Sequence, residues 1–330
     1  MERYLLHSTE WEALYNCSFY SVDQIPLSQR QHPIIGVSLC TLAIFFEILY
    51  IPCLTSIYRH IHHACYRIMF FIGTLDVLVM FINGIFTGIG LSQGWVYCSH
   101  PTLIFWLGTA VTSLWSMVAL TSLILAFNRC VEMVNSDLAS RLFGGNRVHI
   151  WLAVPILYSI VFCWYGKPAL LNSVLCAWFF NPHFGYFDDV KSYTNNLHSV
   201  NNMLVAFGLP ALYVCFAIVL TIRSSILRGL MPQSRSSKQF GTFLQVLLIS
   251  SVNVIGCLIY VYMNFFPVDL HVVILGSYAW LLVHGLPSVI YLLMNRTIRK
   301  DCVYFAKLSK TRFGGTTVVA SVSKVQGNSA

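Results

Sequence analysis

Glu47 and Asp76 are the only charged side chains in two long apolar stretches, residues 33–57 and 68–128. A carboxylate in such surroundings holds a proton or a cation, or it accepts hydrogen bonds that pin neighbouring elements together. Arg129 closes the second stretch in Asn128-Arg129-Cys130, and Glu132 follows three residues on, the spacing at which a helix brings opposite charges together. Pro287 and Tyr291 lie in another uncharged stretch, where a proline kinks a helix whatever else it does. His60, His62 and His63 share one short segment without a cysteine or carboxylate among them, which reads as solvated rather than as a zinc site. There is no Gly-rich phosphate loop, no HExxH and no nucleophile elbow, so no catalytic residue, cofactor or metal is assigned.

These side chains need elements to position them, and composition says which. The 330 residues are 57% hydrophobic and only 10% charged, whereas a water-soluble domain carries about a quarter charged residues. A bilayer is the matching solvent, and a helix needs roughly 20 apolar residues to cross its hydrocarbon. Seven such runs occur: 33–57, two within 68–128 divided at Gly90, Gly94 and Pro101, then 148–166, 192–222, 239–268 and 270–295. They are too long and too continuously apolar for barrel strands, which alternate over about ten residues. The expected fold is all-α, a seven-transmembrane helix bundle over 33–295. It is preceded by an extracellular segment (1–32) and followed by an amphipathic juxtamembrane helix (296–310) and a disordered cytoplasmic tail (311–330).

Orientation follows from the basic residues. Nine of the 20 Lys and Arg fall in the loops of one side and seven more in the tail after Asn295, against Arg3, Arg30, Lys167 and Lys191 on the other side. The positive-inside rule therefore places the N-terminus outside and the C-terminus in the cytoplasm. The net charge of +8 is a topology signal and implies no nucleic acid. No run of signal-peptide length precedes the first span, which is expected to direct insertion itself.

Asn16-Cys17-Ser18 is a glycosylation acceptor on the outer side, whereas Asn295-Arg296-Thr297 is silent on the inner side. Only Cys17, Cys98 and Cys176 of the eleven cysteines lie outside, where disulfides form. A Cys98–Cys176 bridge is expected, tying the loop after the fourth span over the mouth of the bundle. Cys17 is left over, its sequon arguing against a bulky neighbour.

Counting from the span ends puts Glu47 and Asp76 at a similar depth, roughly 12–15 Å, in adjacent helices. Two like charges there do not both ionise without a cation or a polar cluster. A small-molecule pocket is expected in the outer half of the bundle, from Phe105, Trp106 and Thr109 in the third span, Asn201 and Asn202 in the fifth, Tyr260 and Tyr262 in the sixth, and Tyr278 in the seventh. These outer halves carry no charge, which favours a neutral or weakly polar ligand. On the inner side, Arg223, Arg228, Arg235 and Lys238 suit acidic partners or anionic membrane lipid. Ile298, Cys302, Phe305 and Leu308 repeat at helical spacing between basic residues, the pattern of a helix lying on the membrane, with Cys302 as a palmitoylation site.

Further stretches resemble the nematode serpentine chemoreceptors of class T, within the G-protein-coupled receptors. They are Tyr15-Asn16-Cys17-Ser18, Gln31-His32-Pro33-Ile34, Glu47-Ile48-Leu49-Tyr50-Ile51-Pro52-Cys53, Tyr97-Cys98-Ser99-His100-Pro101-Thr102 and Leu125-Ala126-Phe127-Asn128-Arg129-Cys130. The resemblance covers residues 15–310. It implies a sensory receptor in the plasma membrane of a sensory neuron or its cilium, binding an odorant or other chemical ligand and signalling through a heterotrimeric G protein. By the same resemblance Asp76 matches the superfamily's sodium-site aspartate. Asn128 and Arg129 stand where the superfamily carries an acidic-Arg-aromatic triplet, with both neighbours changed. Pro287 and Tyr291 resemble its proline-tyrosine switch, without the Asn and with one extra residue between them. No lysine lies between 270 and 295, which excludes a retinal Schiff base there. The alternative is a seven-helix transporter or channel using Glu47 and Asp76; it predicts an internal repeat or a charged path, and neither is evident.

Overall fold

The computed structural model describes residues 2–187, 193–226 and 233–304. Seven helical segments are long and apolar enough to cross a membrane: Leu27–Arg59, Ala64–Gln93, Pro101–Val134, Arg147–Tyr165, Asn196–Val219, Phe243–Phe265 and Leu270–Met294. They correspond to α3 (Leu27–Arg30) with α4 (Pro33–Arg59), α5 (Ala64–Met80) with α6 (Thr87–Gln93), α7 (Pro101–Val134), α9 (Arg147–Tyr165), the first part of α10 (Asn196–Ile226), the last part of α11 (Gln233–Phe265) and α12 (Leu270–Met294). Two short helices, α1 (Glu2–Leu6) and α2 (Ser8–Tyr15), precede them, α8 (Ser136–Phe143) links α7 to α9, and β1 (Leu170–Asn172) pairs antiparallel with β2 (Ala177–Phe179) between α9 and α10. The chain is a multi-pass membrane protein.

Local chemistry sets the helix limits. Pro33 and Pro101 begin α4 and α7 at the first helical position, where a missing N–H costs nothing. Asp269 caps α12 by accepting from the Val272 N–H at 3.0 Å, and Asn135 caps α8 through the Asp137 and Leu138 N–H groups. Gly94 ends α6 at φ +74°, in the left-handed region that a side chain resists. Of the break expected at Gly90, Gly94 and Pro101, Gly94 and Pro101 separate the second and third spans, whereas Gly90 lies inside α6. Arg147, at the other end of the bundle, starts the fourth.

In a bilayer no hydrophobic force drives one helix onto another, so close approach has to come from small residues. Gly36 of α4 and Gly88 of α6 supply it mutually: a Cβ on either would collide with the other's carbonyl oxygen. Between α5 and α6, residues Phe81–Phe86 form one π-helical turn. This wider turn rotates α6 relative to α5, so that Thr87 is buried, donates its hydroxyl to the Ile82 carbonyl at 2.9 Å and accepts the Trp178 indole N–H at 2.8 Å.

The outer end departs from expectation. The disulfide is Cys17–Cys98, with Cα atoms 5.6 Å apart, and Cys176 is a free, buried thiol. The expected Cys98–Cys176 bridge is therefore wrong, and packing explains why. Tyr15 is buried against Phe105 and Tyr97, at centroid distances of 5.6 and 6.1 Å, which lays the N-terminal segment across the head of α7 and delivers Cys17 to Cys98. The β1–β2 hairpin needs no disulfide. Its Ser173 N–H donates to the Trp95 carbonyl at 3.1 Å, and an antiparallel bridge joins Val96 to Asn172. Cys176 sits in the hairpin turn, where its carbonyl accepts from Ser277 Oγ of α12 at 2.9 Å. Burial pushes its thiol up to about 11, so it stays protonated at neutral pH.

At the inner end, a further helix over 296–304 leaves α12 at Asn295. The Asn295 side-chain oxygen accepts from the Thr297 and Ile298 N–H groups, which commits the asparagine of the inner sequon to a cap. Asp301 fixes this helix beneath α4: Ser56 Oγ donates to it at 2.7 Å and His60 Nε2 lies 3.2 Å away. Lys191, Arg228, Phe305 and Leu308, together with the tail from 311 onward, lie outside the described residues.

Candidate ligand cavity and core polar network

A cavity of about 150 Å³ opens in the outer half of the bundle between α7, α10, α11 and α12 and beneath the hairpin. Six aromatic rings line it, Trp115, Trp178, Phe179, Phe180, Tyr260 and Trp280, and among the described residues no Asp, Glu, Lys or Arg does. The π-helical turn holds one wall through the Thr87 bond to Trp178, and Tyr260 is held by its hydroxyl donating to the Gly276 carbonyl at 3.2 Å.

One polar chain runs from the cavity into the core. Trp115 donates its indole N–H to Asn202 Oδ1 at 2.9 Å, and Asn202 Nδ2 lies 3.0 Å from His198 Nε2. On its other side the Trp115 ring stands edge-on to His284, with centroids 5.6 Å apart at 86°. His284 Nδ1 lies 2.7 Å from Asp76 Oδ1. The other carboxylate oxygen accepts from Tyr50 at 2.7 Å, and the Tyr50 hydroxyl also lies 3.0 Å from the His284 carbonyl. Asp76 thus joins three spans, with both oxygens engaged. A second cavity of about 10 Å³ touches Asp76, Ser122, Ser250, Asn253, Pro287 and Tyr291, which is room for about one water.

The sequence profile of the serpentine type 7TM GPCR chemoreceptor Srt family matches residues 1–314. The chain belongs to this family. Serpentine receptor class T-55 of Caenorhabditis elegans is 25% identical over 245 residues, 74% of this Srt chain and 66% of the relative's length. The chain thus spans just under two thirds of that relative. Among solved structures, squid rhodopsin shares the fold at a TM-score of 0.59 with 13% identity, over 85% of this chain and 88% of that one.

Of the residues expected to form the pocket of this Srt-family chain, Asn202 and Tyr260 line the cavity. Phe105 is buried in the outer aromatic cluster, and Trp106 meets Tyr4 at 5.7 Å. Thr109 turns its hydroxyl back to the Phe105 carbonyl. Asn201 is fully buried, and neither of its side-chain amide atoms has a partner. Tyr262 is exposed and stacks on Phe266 at 4.8 Å, and Tyr278 bonds to Ser38. Glu47 is half-buried, with Oε1 unpartnered, and makes no bond to Asp76. Sequence reading missed His284, Tyr50, Trp115 and His198. The signal for His284 was there: an ionisable side chain within a membrane span is rare and calls for a partner.

On the inner side, Arg129 reaches Glu132 Oε2 at 2.5 Å and donates to Asn128 Oδ1 at 2.7 Å. The amide and the downstream glutamate together hold the guanidinium where a single acidic neighbour is absent. The three loop histidines form no metal site, and among the described residues no group of three His, Cys, Asp or Glu does. Burial and the neighbouring imidazoles His62 and His60 depress His63, while burial raises the Cys302 thiol, with Asp301 adding to it.

Proposed function

We propose that this Srt chain is a chemosensory receptor that binds an external small molecule in the cavity and activates a heterotrimeric G protein at the inner face, and that it is not an enzyme. The observation that carries the reading is the continuity of the cavity wall with the core: Trp115 bonds to Asn202 at the cavity and abuts His284, which holds Asp76. A ligand that displaces Trp115 changes the packing of three spans at Asp76, and Pro287 and Tyr291 border the same small space. Asn128 and Arg129 lie at the inner end of α7, where the partner docks. Family membership supports the same reading, with placement in the plasma membrane of a sensory neuron or its cilium; the sequon supports a glycan on the exposed Asn16, and the amphipathic pattern after the last span supports an acyl chain on Cys302.

The test is expression in cultured cells with a second-messenger readout and a panel of volatile and water-soluble chemicals. Responses that disappear when the G protein is removed support the receptor. Ligand-evoked current or flux that persists without it supports the transporter or channel.

A further inference from the structure

The cavity has a polar rim and a floor whose hydrogen bonds are already made. Among the described residues that line it, Asn264 alone is exposed, and the others are buried or half-buried. Asn264 stands one residue before the outer end of α11. Its side chain crosses towards α10, where Nδ2 donates to Ser199 Oγ at 3.4 Å. An accessible amide at the rim offers both a donor and an acceptor.

Thr112 and Trp115 of α7, Gly256 and Cys257 of α11 and Val283 of α12 form the floor, and all five are buried. Cys257 lies two turns inward of Asn264 on the same helix, roughly 10 Å. The Thr112 hydroxyl donates to the Gly108 carbonyl at 2.8 Å, and the Trp115 indole N–H to Asn202 Oδ1 at 2.9 Å. A polar group pushed onto this floor gives up its water and finds these donors taken.

We infer that the ligand enters past Asn264 with an apolar ring leading, and that Asn264 selects neutral, single-ring molecules with one polar end, which stays at the rim on its amide. Size follows from the volume, since a buried cavity of about 150 Å³ accommodates benzene. Neutrality follows from a wall without a formal charge, where a buried ion has no counterpart. The aromatic rings offer edges and faces to a flat molecule. This inference rests on the cavity being the ligand site.

The test uses the purified full-length protein and four probes built on one ring and a two-carbon arm. Ethylbenzene has no polar end, phenethyl alcohol has one, tyrosol adds a hydroxyl at the far edge of the ring, and phenethylammonium carries a charge. Binding is read as a concentration-dependent rise in melting temperature. Phenethyl alcohol is expected to half-saturate at a concentration about tenfold below tyrosol, whose second hydroxyl has to reach the floor. In Asn264→Leu it is expected to need about threefold more, with ethylbenzene unchanged, and Asn264→Gln, which keeps the amide, is expected to recover part of that loss. Equal binding of the two alcohols overturns the inference, as does tighter binding of phenethylammonium or the absence of any shift. An Asn264→Leu variant that leaves phenethyl alcohol unchanged, or weakens ethylbenzene as much, overturns it too, because a merely structural side chain would act on both probes alike. The comparison of the two alcohols on the unmodified protein decides the matter should Asn264→Leu fail to fold. Shifts unchanged in Cys257→Phe, which pushes a ring into the cavity, refute the cavity as the ligand site. Shifts lost in Cys257→Phe but ordered otherwise among the probes refute the selection at Asn264 and leave the cavity standing.

Discussion

His284 Nδ1 of the seventh span and Asp76 Oδ1 of the second lie 2.7 Å apart, with both side chains out of contact with water. Tyr50 of the first span takes the other carboxylate oxygen. The carboxylate, expensive in hydrocarbon, is thereby turned into a junction of three helices, and Trp115 rests against that junction from the cavity side.

Sodium should matter little to this protein. The two oxygens that would coordinate the ion are already engaged by His284 and Tyr50, and the neighbouring space is about 10 Å³. Ligand dose–response curves in sodium and in choline buffer are expected to coincide. Asp76→Ala leaves His284 and Tyr50 without their partner, and a loss of roughly 3–5 kcal/mol is expected, seen as a collapse of surface expression. Asp76→Asn retains a hydrogen-bonding side chain and is expected to lose less.

Trp115→Phe keeps a ring against His284 but removes the donor to Asn202. Leaving that buried oxygen unpaired costs about 1–3 kcal/mol. Thermal unfolding of the purified protein is expected to show the loss, together with weaker ligand responses, because the cavity wall at Asn202 is no longer tied to Trp115.

The cysteines make an order of effects that Cys98–Cys176 pairing would invert. Cys17→Ser, Cys98→Ser and the double variant should be equally destabilised, by up to about 4 kcal/mol for a crosslink spanning 81 residues. Cys176→Ser should stay near wild type at neutral pH. The Cys176 thiol, raised to about 11 from 9.0, contributes stability that is present below pH 9 and lost as pH rises towards 11. Melting curves at pH 8 and pH 10.5 are expected to separate more in the parent than in Cys176→Ser.

Gly36→Val and Gly88→Val each place side-chain atoms where the opposing backbone oxygen already stands. The first and second spans must then separate. Loss of surface expression is expected for both, whereas Val at the lipid-facing Ile34 should be silent, since that side chain is 86% exposed.

The seven spans were legible because hydrocarbon imposes a length and a composition, and both are written in consecutive residues. Of the break read at Gly90, Gly94 and Pro101, the last two were legible for the same local reason, a left-handed cap followed by a helix-starting proline, while Gly90 is an ordinary helical position of α6. Asn202 and Tyr260 were found by depth alone, but depth does not give the side of a helix, and so Tyr262 and Trp106 came with them. The π-helical turn at Phe81–Phe86 shifts the face presented by everything after it, which no fixed period anticipates. The disulfide failed for a different reason. Three outer cysteines allow three pairings, and the choice was made by aromatic packing of Tyr15 against Phe105 and by backbone bonds of the hairpin, contacts between residues far apart in the chain. His284 was passed over, and its partnership with Asp76 could not be read at all, because the two lie 208 residues apart.

The most direct test of a receptor whose cavity governs signalling is the second-messenger response of cells carrying the protein, or its Cys257→Phe variant, to an activating chemical, at matched surface expression and with and without the G protein. The expected response needs the G protein and is lost when the cavity is filled. A response undiminished in Cys257→Phe, or a ligand-evoked flux that persists without the G protein, would contradict it.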